Sequence, residues 1–225
     1  MSKNQQAVIE WRGGNLPVST RFDDPYFSLE DGLAETRHVF LADNGLPGRF
    51  CPGFHIAELG FGTGLNLLAA LQAWINSGQT GKLHFTSFEA FPMAAADMAR
   101  ALQAFPEVAP LAAPLLAAWA SGETCVETDR LHAEIVIGDA RHTLPQWNGR
   151  ADAWFLDGFS PAQNPELWEA GLIRAVARHT APGGSFATYT AAGFVRRNLE
   201  AAGFAVQRQP GFGRKRHMTS GSLPA

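Results

Sequence analysis

Three alternating glycines follow a short apolar segment that contains one acidic residue. Residues 55–66 read His-Ile-Ala-Glu-Leu-Gly-Phe-Gly-Thr-Gly-Leu-Asn, with the acid at Glu58 and the glycines at Gly60, Gly62 and Gly64. Glycine lets a backbone turn sharply and approach a ligand closely. The first N–H groups of a following helix have no partner within that helix and are free to bind the ligand. The pattern therefore predicts a strand, a binding turn and a helix that together hold a cofactor.

The spacing of these glycines argues against a dinucleotide. The dinucleotide fingerprint Gly-x-Gly-x-x-Gly would place its third glycine at position 65, which is Leu65 here. Glu89 ends a predicted strand 25 residues beyond Gly64, where a carboxylate can accept both ribose hydroxyls. Asp139 ends a later strand, where it can accept from an adenine amino group while Ala140 offers its N–H. The expected cofactor has an adenosine and no pyrophosphate, which indicates S-adenosylmethionine.

Two further residues of the glycine segment are assigned to the cofactor site. Glu58 is expected either to orient the turn or to bind the methionine amino group, and the alternative is a buried glutamate paired with backbone N–H groups. Asn66 closes the segment on the first turn of the predicted helix and is included among the cofactor-binding residues.

Strand and helix signals alternate beyond residue 51. This order predicts an α/β fold with a mostly parallel sheet and helices on both faces. Residues 1–50 would form a cap made of a hairpin and a helix, residues 51–219 the core, and residues 220–225 a tail. Predicted strands are 55–60, 83–89, 124–130, 132–138, 151–157, 185–189, 204–209 and 214–219, and predicted helices are 32–44, 64–77, 92–104 (opened by Pro92), 107–120, 165–179 and 192–202.

Ligands of such sheets bind at the carboxyl ends of the strands. Glu89, Asp139 and Asp157 each end a predicted strand, so we expect them to share one edge of the sheet.

Composition excludes several classes of protein. Hydrophobic residues make up 46% of the 225 residues, enough for a core, and no apolar run reaches the ~20 residues that cross a bilayer. Cys51 and Cys125 lie far apart, and the seven histidines show no metal-ligand spacing, so neither a disulfide framework nor a metal site is expected. The N-terminus lacks the apolar stretch of a signal peptide. These features predict a cytoplasmic protein that is not in a membrane.

Basic residues are concentrated near the C-terminus. The net charge of the chain is −3, yet residues 194–217 contain six Arg or Lys residues and one Glu. Such a local excess can contact phosphates even in an acidic chain. A solvated surface is the alternative reading of the same charges.

Five segments together resemble one known family over nearly the whole chain. The chain is similar to the methyltransferase part of MnmC, a family of tRNA wobble-uridine modification enzymes. The glycine segment is common to many methyltransferases, whereas the cap motifs and the Asp-Gly-Phe-Ser-Pro stretch are far more specific. The five segments are Phe-Asp-Asp-Pro-Tyr-Phe-Ser (22–28), Gly-Leu-Ala-Glu-Thr-Arg-His-Val-Phe (32–40), the glycine segment (58–66), Phe-Leu-Asp-Gly-Phe-Ser-Pro-Ala-Gln-Asn-Pro-Glu-Leu-Trp (155–168) and Gly-Phe-Gly-Arg-Lys-Arg (211–216).

The resemblance implies a fold, an activity and a substrate. The fold would be the class I S-adenosylmethionine-dependent methyltransferase type, which is Rossmann-like, with a mostly parallel seven-stranded sheet, helices on both faces and here an N-terminal cap. A methyl group would pass from S-adenosylmethionine to the exocyclic amine of 5-aminomethyl-2-thiouridine at the tRNA wobble position, giving 5-methylaminomethyl-2-thiouridine. Bifunctional members continue into an FAD-dependent oxidase domain, but this sequence contains no second glycine-rich strand–turn–helix. The oxidase half is therefore expected to be absent, and a separate FAD-dependent oxidase is a possible partner.

A catalytic role is expected for Asp157. A primary alkylamine is mostly protonated at neutral pH, and a nearby carboxylate can accept its hydrogen bond and orient the lone pair. Gly158-Phe159-Ser160-Pro161 turns the chain beside the cofactor, and Phe159 is expected to stack on a flipped uracil. A loop-fixing role for Asp157 and core packing for Phe159 are the alternatives.

The resemblance also extends the site beyond the core. Tyr26, Phe27, Glu35 and Thr36 belong to the cap motifs and are expected to close over the methionine end of the cofactor, with core burial the alternative for the aromatic pair. Arg214, Lys215 and Arg216 are expected to hold the backbone of the anticodon stem-loop.

Three rival functions are open to test. A methyltransferase of the same fold acting on a small molecule or a protein would not modify tRNA. A binding module without turnover would be indifferent to Asp157→Asn. A nicotinamide dehydrogenase is disfavoured by Leu65, and a comparison of S-adenosylhomocysteine with NAD as stabilising ligands would separate it.

Overall fold

The N-terminal cap begins with a small antiparallel sheet. In the computed structural model, which describes residues 6–28 and 31–225, its strands are β1 (Ile9–Arg12), β2 (Leu16–Ser19) and β3 (Asp24–Pro25). Gly13 and Gly14 join the first two strands with φ of +54° and +94°. Glycine adopts these angles without steric cost, which is why the Gly-Gly pair turns here. The predicted hairpin is present.

The predicted helix over 32–44 is one continuous helical segment of three parts. Helix α1 (Gly32–Thr36) leads into a π-helical turn over Arg37–Leu41 and a 3₁₀ turn over Ala42–Asn44. Asp31 caps α1 by accepting from the N–H of Ala34, and Gly45 ends the segment at φ +68°. A π turn inside a helix is frequent at functional sites, and hydrophobic spacing gave no indication of it.

The central sheet has eight strands. Their order is β10-β11-β9-β8-β4-β5-β7-β6, and the five adjacent strands from β9 to β7 are parallel. The sheet has eight strands rather than the predicted seven, although each of the eight overlaps a predicted strand segment. The short edge strand β6 falls within the predicted segment 124–130 and pairs antiparallel with β7. The strands are β4 (His55–Leu59), β5 (Leu83–Glu89), β6 (Cys125–Glu127), β7 (Leu131–Ile137), β8 (Ala151–Leu156), β9 (Thr180–Thr188), β10 (Ala205–Pro210) and β11 (His217–Ser222).

Helices cover both faces of this sheet. Alternate residues of the strands point to opposite faces, so Ile56 and Phe155 join one buried core while Ala57 and Trp154 join the other. The helices are α2 (Leu65–Asn76), α3 (Ala95–Leu102), α4 (Ala113–Ser121), α5 (Ala140–Thr143), α6 (Ala170–Arg178) and α7 (Gly193–Ala201). Among the described residues, no helix is long and apolar enough to cross a membrane.

Some predicted boundaries were wrong for identifiable reasons. Pro92 does not open a helix, because α3 starts at Ala95 after an extended Ala94. Strand β9 starts at Thr180, before the Pro-Gly-Gly stretch rather than after it. The pairing of β8 with β9 is irregular there, so Pro182 is not required to donate to a ladder.

The last strand also departs from its predicted range. β11 begins at His217 rather than 214 and continues to Ser222, beyond residue 219, which was predicted to end the core. Its final residues pair with both neighbours, Ser222 with Ala205 of β10 and with Ser185 of β9. A Ser-Gly-Ser end has no apolar alternation, so no pattern in the sequence indicates it.

Candidate active site

A large cavity opens at the carboxyl ends of the parallel strands. Its volume is about 1330 Å³, and its walls come from the cap, from the turns after β4, β5, β7 and β8, and from the β10–β11 loop. The structure thus brings the three predicted strand-end acids together. The predicted site residues that line the cavity are Tyr26, Phe27, Glu35, Thr36, Gly60, Gly62, Asn66, Glu89, Asp139, Ala140, Asp157, Phe159, Arg214 and Lys215, whereas Glu58, Gly64 and Arg216 do not.

The glycine turn requires glycine at its first position. Gly60 has φ +90°, and a Cβ there would lie 2.4 Å from the backbone oxygen of Asp157. The turn after β4 therefore packs directly against the chain that carries the predicted catalytic acid. Gly62 and Gly64 also have positive φ, and a Cβ on Gly62 would lie 3.1 Å from the Tyr26 ring.

Asn66 connects three of the predicted site residues. Its Nδ2 donates to Asp157 Oδ2 (2.6 Å) and to Glu58 Oε1 (2.8 Å), and its Oδ1 accepts from Thr36 Oγ1 (2.8 Å). A side-chain amide has two N–H donors, so both are used on carboxyl groups. Asn66 therefore fixes the position of Asp157 relative to the cap helix and to the strand beneath.

Glu58 acts beneath the cavity rather than in it. Its side chain is fully buried, and it accepts from Ser87 Oγ at 2.6 Å as well as from Asn66. Burial raises the pKa of Glu58 well above its usual value, with the nearby Asp157 charge adding to the effect. Its partners lie on β5 and on the first turn of α2, and the expected roles of Glu58 in orienting the turn or binding the methionine amino group stay predictions.

Glu89 ties the glycine turn to the end of β5. Its Oε2 accepts from the N–H of Gly62 (3.0 Å) and its Oε1 from the N–H of Phe91 (2.7 Å). Burial raises the pKa of Glu89, and the backbone donors oppose that shift. Glu89 also lines the cavity, where ribose hydroxyls are expected to meet its carboxylate. That role stays a prediction.

Asp139 is already engaged by a neighbour that the sequence analysis did not assign. Arg141 Nε and Nη2 donate to its carboxylate at 3.0 and 2.6 Å, and the N–H of Arg141 donates to it at 2.9 Å. These bonds hold the pKa of Asp139 below its usual value. Asp139, Ala140 and Arg141 all line the cavity, so an adenine amino group would share Asp139 with a guanidinium.

Asp157 is a half-buried acid among other charges. Burial is the main cause that raises its pKa to about 7, and the nearby carboxylates of Glu35 and Asp24 raise it further. The hydrogen bond from Asn66 and the charge of Lys215 act in the opposite direction. A carboxyl with this pKa can accept and release a proton near neutral pH.

Phe159 belongs to an aromatic group shared by the cap and the β8 turn. It stacks on Phe22 with ring centres 4.8 Å apart, and Tyr26 meets it edge-on at 5.1 Å. The cap strand is fastened to the same turn, because the N–H of Ser160 donates to Asp24 Oδ2 at 2.8 Å. Phe159 packs against the cap and also lines the cavity.

The basic segment does not act as one unit. Lys215 points into the cavity, where its Nζ lies 2.8 Å from Glu35 Oε1. Arg214 also lines the cavity, whereas Arg216 is exposed and does not. Lys215 is thus paired with a carboxylate of the cap in this structure, and the prediction that all three residues hold an RNA backbone stays a prediction.

Four cavity residues carry chemistry that the sequence analysis did not assign: Phe22, Asp24, Arg141 and Tyr189. Phe22 and Asp24 belong to the cap motif over residues 22–28. The resemblance therefore indicated that this segment matters, but nothing in the sequence indicated which residues it contacts. Tyr189 follows β9 directly, and the rule that ligands bind at carboxyl ends of strands would have found it.

One group of possible metal ligands lies outside the cavity. Ligand atoms of Cys125, Glu127 and His132 fall within 4.8 Å of one another on the β6–β7 edge hairpin. Glu127 is already bonded to Lys82 and to His132, so these contacts explain the grouping without a metal ion.

Comparison with known proteins identifies the family. The profile of a family described as S-adenosyl-L-methionine-dependent methyltransferase matches residues 106–224, more than half of the chain. The chain belongs to this family of methyltransferases. A bifunctional protein from Pseudomonas paraeruginosa, named for tRNA 5-methylaminomethyl-2-thiouridine biosynthesis (MnmC), is 46% identical over 233 residues, covering 99% of this chain and 36% of that protein.

Solved structures agree on the fold of this methyltransferase. The structure of MNMC2 from Aquifex aeolicus superposes with a TM-score of 0.79 at 25% identity, covering 100% of this chain and 74% of that one. Spermidine synthase from Thermotoga maritima superposes with a TM-score of 0.55 at 11% identity, covering 96% and 71%, and shows the fold alone. The chain spans about a third of the length of the curated relatives that it matches.

The site of this methyltransferase fits S-adenosylmethionine, its cofactor. The turn over Gly60, Gly62 and Gly64 keeps Cβ atoms away from the edge of the sheet, and the carboxylate of Glu89 lines the cavity beside that turn. The expected class I fold, enzyme class and cofactor are thus confirmed. When bound, S-adenosylmethionine supplies a methyl group activated by a sulfonium.

Proposed function

We propose that this methyltransferase acts on the aminomethyl group of 5-aminomethyl-2-thiouridine at the wobble position of tRNA, giving 5-methylaminomethyl-2-thiouridine. One observation carries the proposal: Asp157, with a pKa of about 7, lies in the cavity beside the glycine turn and is held there by Asn66. A primary ammonium must lose a proton before it can accept a methyl group, and this carboxylate is suited to receive it. The names of relatives that match nearly the whole chain support the same substrate.

The proposed roles of the chain's residues follow from their positions. Glu89 accepts ribose hydroxyls, Asp139 and Ala140 meet the adenine, and the glycine turn with Asn66 positions the methionine portion. Tyr26, Phe27, Glu35 and Thr36 cover that portion from the cap, while Phe159 offers a ring to the uracil. Asp157 accepts the proton of the substrate ammonium. Alignment of the two reactants and exclusion of water by the cap then account for the remaining catalysis.

A wobble base must leave the anticodon stack to enter the cavity. Arg214 and Arg216 are exposed on the β10–β11 loop, part of which lines the cavity, and there they can contact the phosphates of the anticodon stem-loop. A tRNA substrate also implies a cytoplasmic enzyme. A separate FAD-dependent oxidase is proposed as a partner, because the relatives are named as bifunctional proteins.

The proposal is tested with tRNA that lacks the final methyl group. Incubation with the protein and S-adenosylmethionine, followed by nucleoside analysis, is expected to convert 5-aminomethyl-2-thiouridine to its methylamino form. Asp157→Asn should lower the rate about 10²–10⁴-fold while S-adenosylhomocysteine binding is retained. Asp129→Asn, on an exposed residue outside the cavity, is the matched control. Methylation of small amines with no change in tRNA nucleosides would instead indicate a small-molecule methyltransferase.

A further inference from the structure

The ammonium of Lys215 lies between a carboxylate and an aromatic ring. Its Nζ is 2.8 Å from Glu35 Oε1 and 4.1 Å from the centre of the Tyr189 ring. The Glu35 side chain is 13% exposed, whereas that of Lys215 is 45% exposed. A desolvated aromatic face together with a carboxylate is the arrangement that recognises alkylammonium ions. The two groups therefore form a small cation-binding box on the wall of the cavity.

Glu35 and Tyr189, which form the box, are held in place by a helix and a hydrogen bond, whereas Lys215, which occupies it, lies on a loop. Glu35 lies on α1, and Tyr189 Oη donates to the backbone oxygen of Gly158 at 2.7 Å, which fixes the ring. Lys215 lies on the six-residue loop between β10 and β11. Two backbone hydrogen bonds close this loop, from the N–H of Lys215 to Phe212 O and from the N–H of Gly211 to Arg216 O. A lysine side chain is a flexible four-carbon chain, so the ammonium can leave the box while the loop backbone stays in place.

We propose that Glu35 and Tyr189 form the subsite for the primary ammonium of the substrate, and that Lys215 fills this subsite as an internal stand-in until the substrate displaces it. The inference rests on the proposed function, because an aminomethyl group is a primary alkylammonium like that of lysine. Asp157 lines the same cavity and lies near enough to Glu35 and Lys215 for their charges to act on it. An ammonium in the subsite is therefore near a proton acceptor.

The exchange keeps the charge of the site constant. Lys215 offsets the carboxylates of Glu35, Asp24 and Asp157, and an incoming ammonium restores the same positive charge when Lys215 leaves. No carboxylate is left buried without a counter-ion, a state that proteins avoid because it is costly. The released Lys215 then lies beside Arg214 and Arg216, where a third cation can meet the phosphate backbone of the same RNA.

A simple cation tests the subsite without tRNA. The full-length protein, loaded with S-adenosylhomocysteine, is titrated with n-butylammonium chloride and binding is followed by ligand-observed NMR, with n-butanol as the neutral probe. Lys215→Met is expected to bind n-butylammonium at least about tenfold more tightly than the unmodified protein, because no tethered ammonium competes. n-Butanol should show no such difference.

The control variants show whether tighter probe binding comes from the emptied subsite or only from the loss of a positive charge. Arg216→Met removes one positive charge from the same loop but lies outside the cavity lining, so it should bind the probe like the unmodified protein. Adding Glu35→Gln or Tyr189→Leu to Lys215→Met should abolish the gain, and Tyr189→Phe, which keeps the ring, should preserve most of it.

Two outcomes would overturn the subsite. One is equal probe binding by the unmodified protein, Lys215→Met and Arg216→Met, and the other is a gain that survives the loss of Glu35. Neither outcome depends on tRNA, so a failure of the subsite is distinguishable from a failure of the proposed function. A cooperative thermal unfolding transition of each variant shows that it is folded. S-adenosylhomocysteine binding does not serve as this control, because Glu35 is also proposed to cover the methionine portion of the cofactor.

Discussion

The side-chain amide of Asn66 lies 2.6 Å from Asp157 and uses its other N–H on Glu58 at 2.8 Å. One amide on the first turn of α2 thus holds the acid at the end of β8 and the acid within β4. Because both N–H donors are used, Asn66 couples the position of one carboxyl to that of the other.

Asn66→Ala is expected to impair catalysis more than cofactor binding. Without the amide, Asp157 loses the donor that stabilises its ionised form, so its pKa should rise and the acid limb of kcat/KM should move to higher pH. We expect kcat/KM at pH 7 to fall by about 10–100-fold. Asn76→Ala, at the exposed end of the same helix, is the control and should leave the profile unchanged.

The pH dependence of kcat/KM should report Asp157. The residue accepts a proton only when ionised, so the rate should rise with pH through about 7, the pKa of this group. Glu35→Gln removes a nearby negative charge and should shift the limb to lower pH. Lys215→Met removes a positive charge and should shift it to higher pH.

These opposite shifts depend on the charges that face Asp157. They are Asp24 on the cap, Glu35 on α1, Lys215 on the β10–β11 loop and the buried Glu58. Shifts in the same direction for the two variants would mean that another group controls the acid limb.

Gly60→Ala should destabilise the fold and loosen the site. The substitution combines a positive φ with a Cβ placed 2.4 Å from the backbone oxygen of Asp157. The strained backbone alone costs about 1–3 kcal/mol, and the collision adds to it. Gly78→Ala is the matched control, because Gly78 has φ +74° but nothing within 4 Å of the added Cβ. Denaturant unfolding should show a larger loss for Gly60→Ala, accompanied by weaker S-adenosylhomocysteine binding. Equal losses would show that the backbone of Asp157 yields freely to the added methyl group.

The salt dependence of tRNA binding should show which cations of the protein neutralise tRNA phosphates. Arg214→Ala with Arg216→Ala is expected to weaken binding and to reduce the slope of log K against log salt by about 0.7–0.9 for each phosphate that is no longer neutralised. S-adenosylhomocysteine affinity should not change. Arg150→Ala, an exposed cation outside the cavity lining, serves as control. If the slope does not change in the double variant, the tRNA binds to another surface of the protein.

Cofactor selectivity can be measured by thermal unfolding. S-adenosylhomocysteine should raise Tm with increasing concentration, by the linkage of binding to folding. NAD at the same concentrations should not, because the glycine spacing leaves Leu65 where a dinucleotide site needs glycine. Stabilisation by NAD alone would contradict the assignment of the site.

The alternating pattern and the rule for strand ends were enough to predict the α/β order and the edge at which Glu89, Asp139 and Asp157 meet. Each of these features is local in the sequence, either an apolar strand, a glycine turn or an acid that follows a strand. The Rossmann-like fold and the cofactor follow from such local features.

Contacts across long sequence separations were not predictable in the same way. Lys215 meets Glu35 across 180 residues, and Asn66 meets Asp157 across 91. The run Arg214-Lys215-Arg216 looks uniform in sequence, but the tight loop sends its members to different environments. Arg141 lies only two residues after Asp139 in the sequence, yet its conformation is set by the end of β7 and the start of α5.

The two halves of the cavity come from distant parts of the chain. The glycine turn after β4 builds the cofactor side, whereas the β10–β11 loop at the far end of the sheet carries Lys215 and Arg214. Loops tolerate sequence change better than the strands that support them. Acceptor preference can therefore diverge, in evolution or in engineering, by exchanging the six residues of that loop while the methyl-donor side is inherited intact.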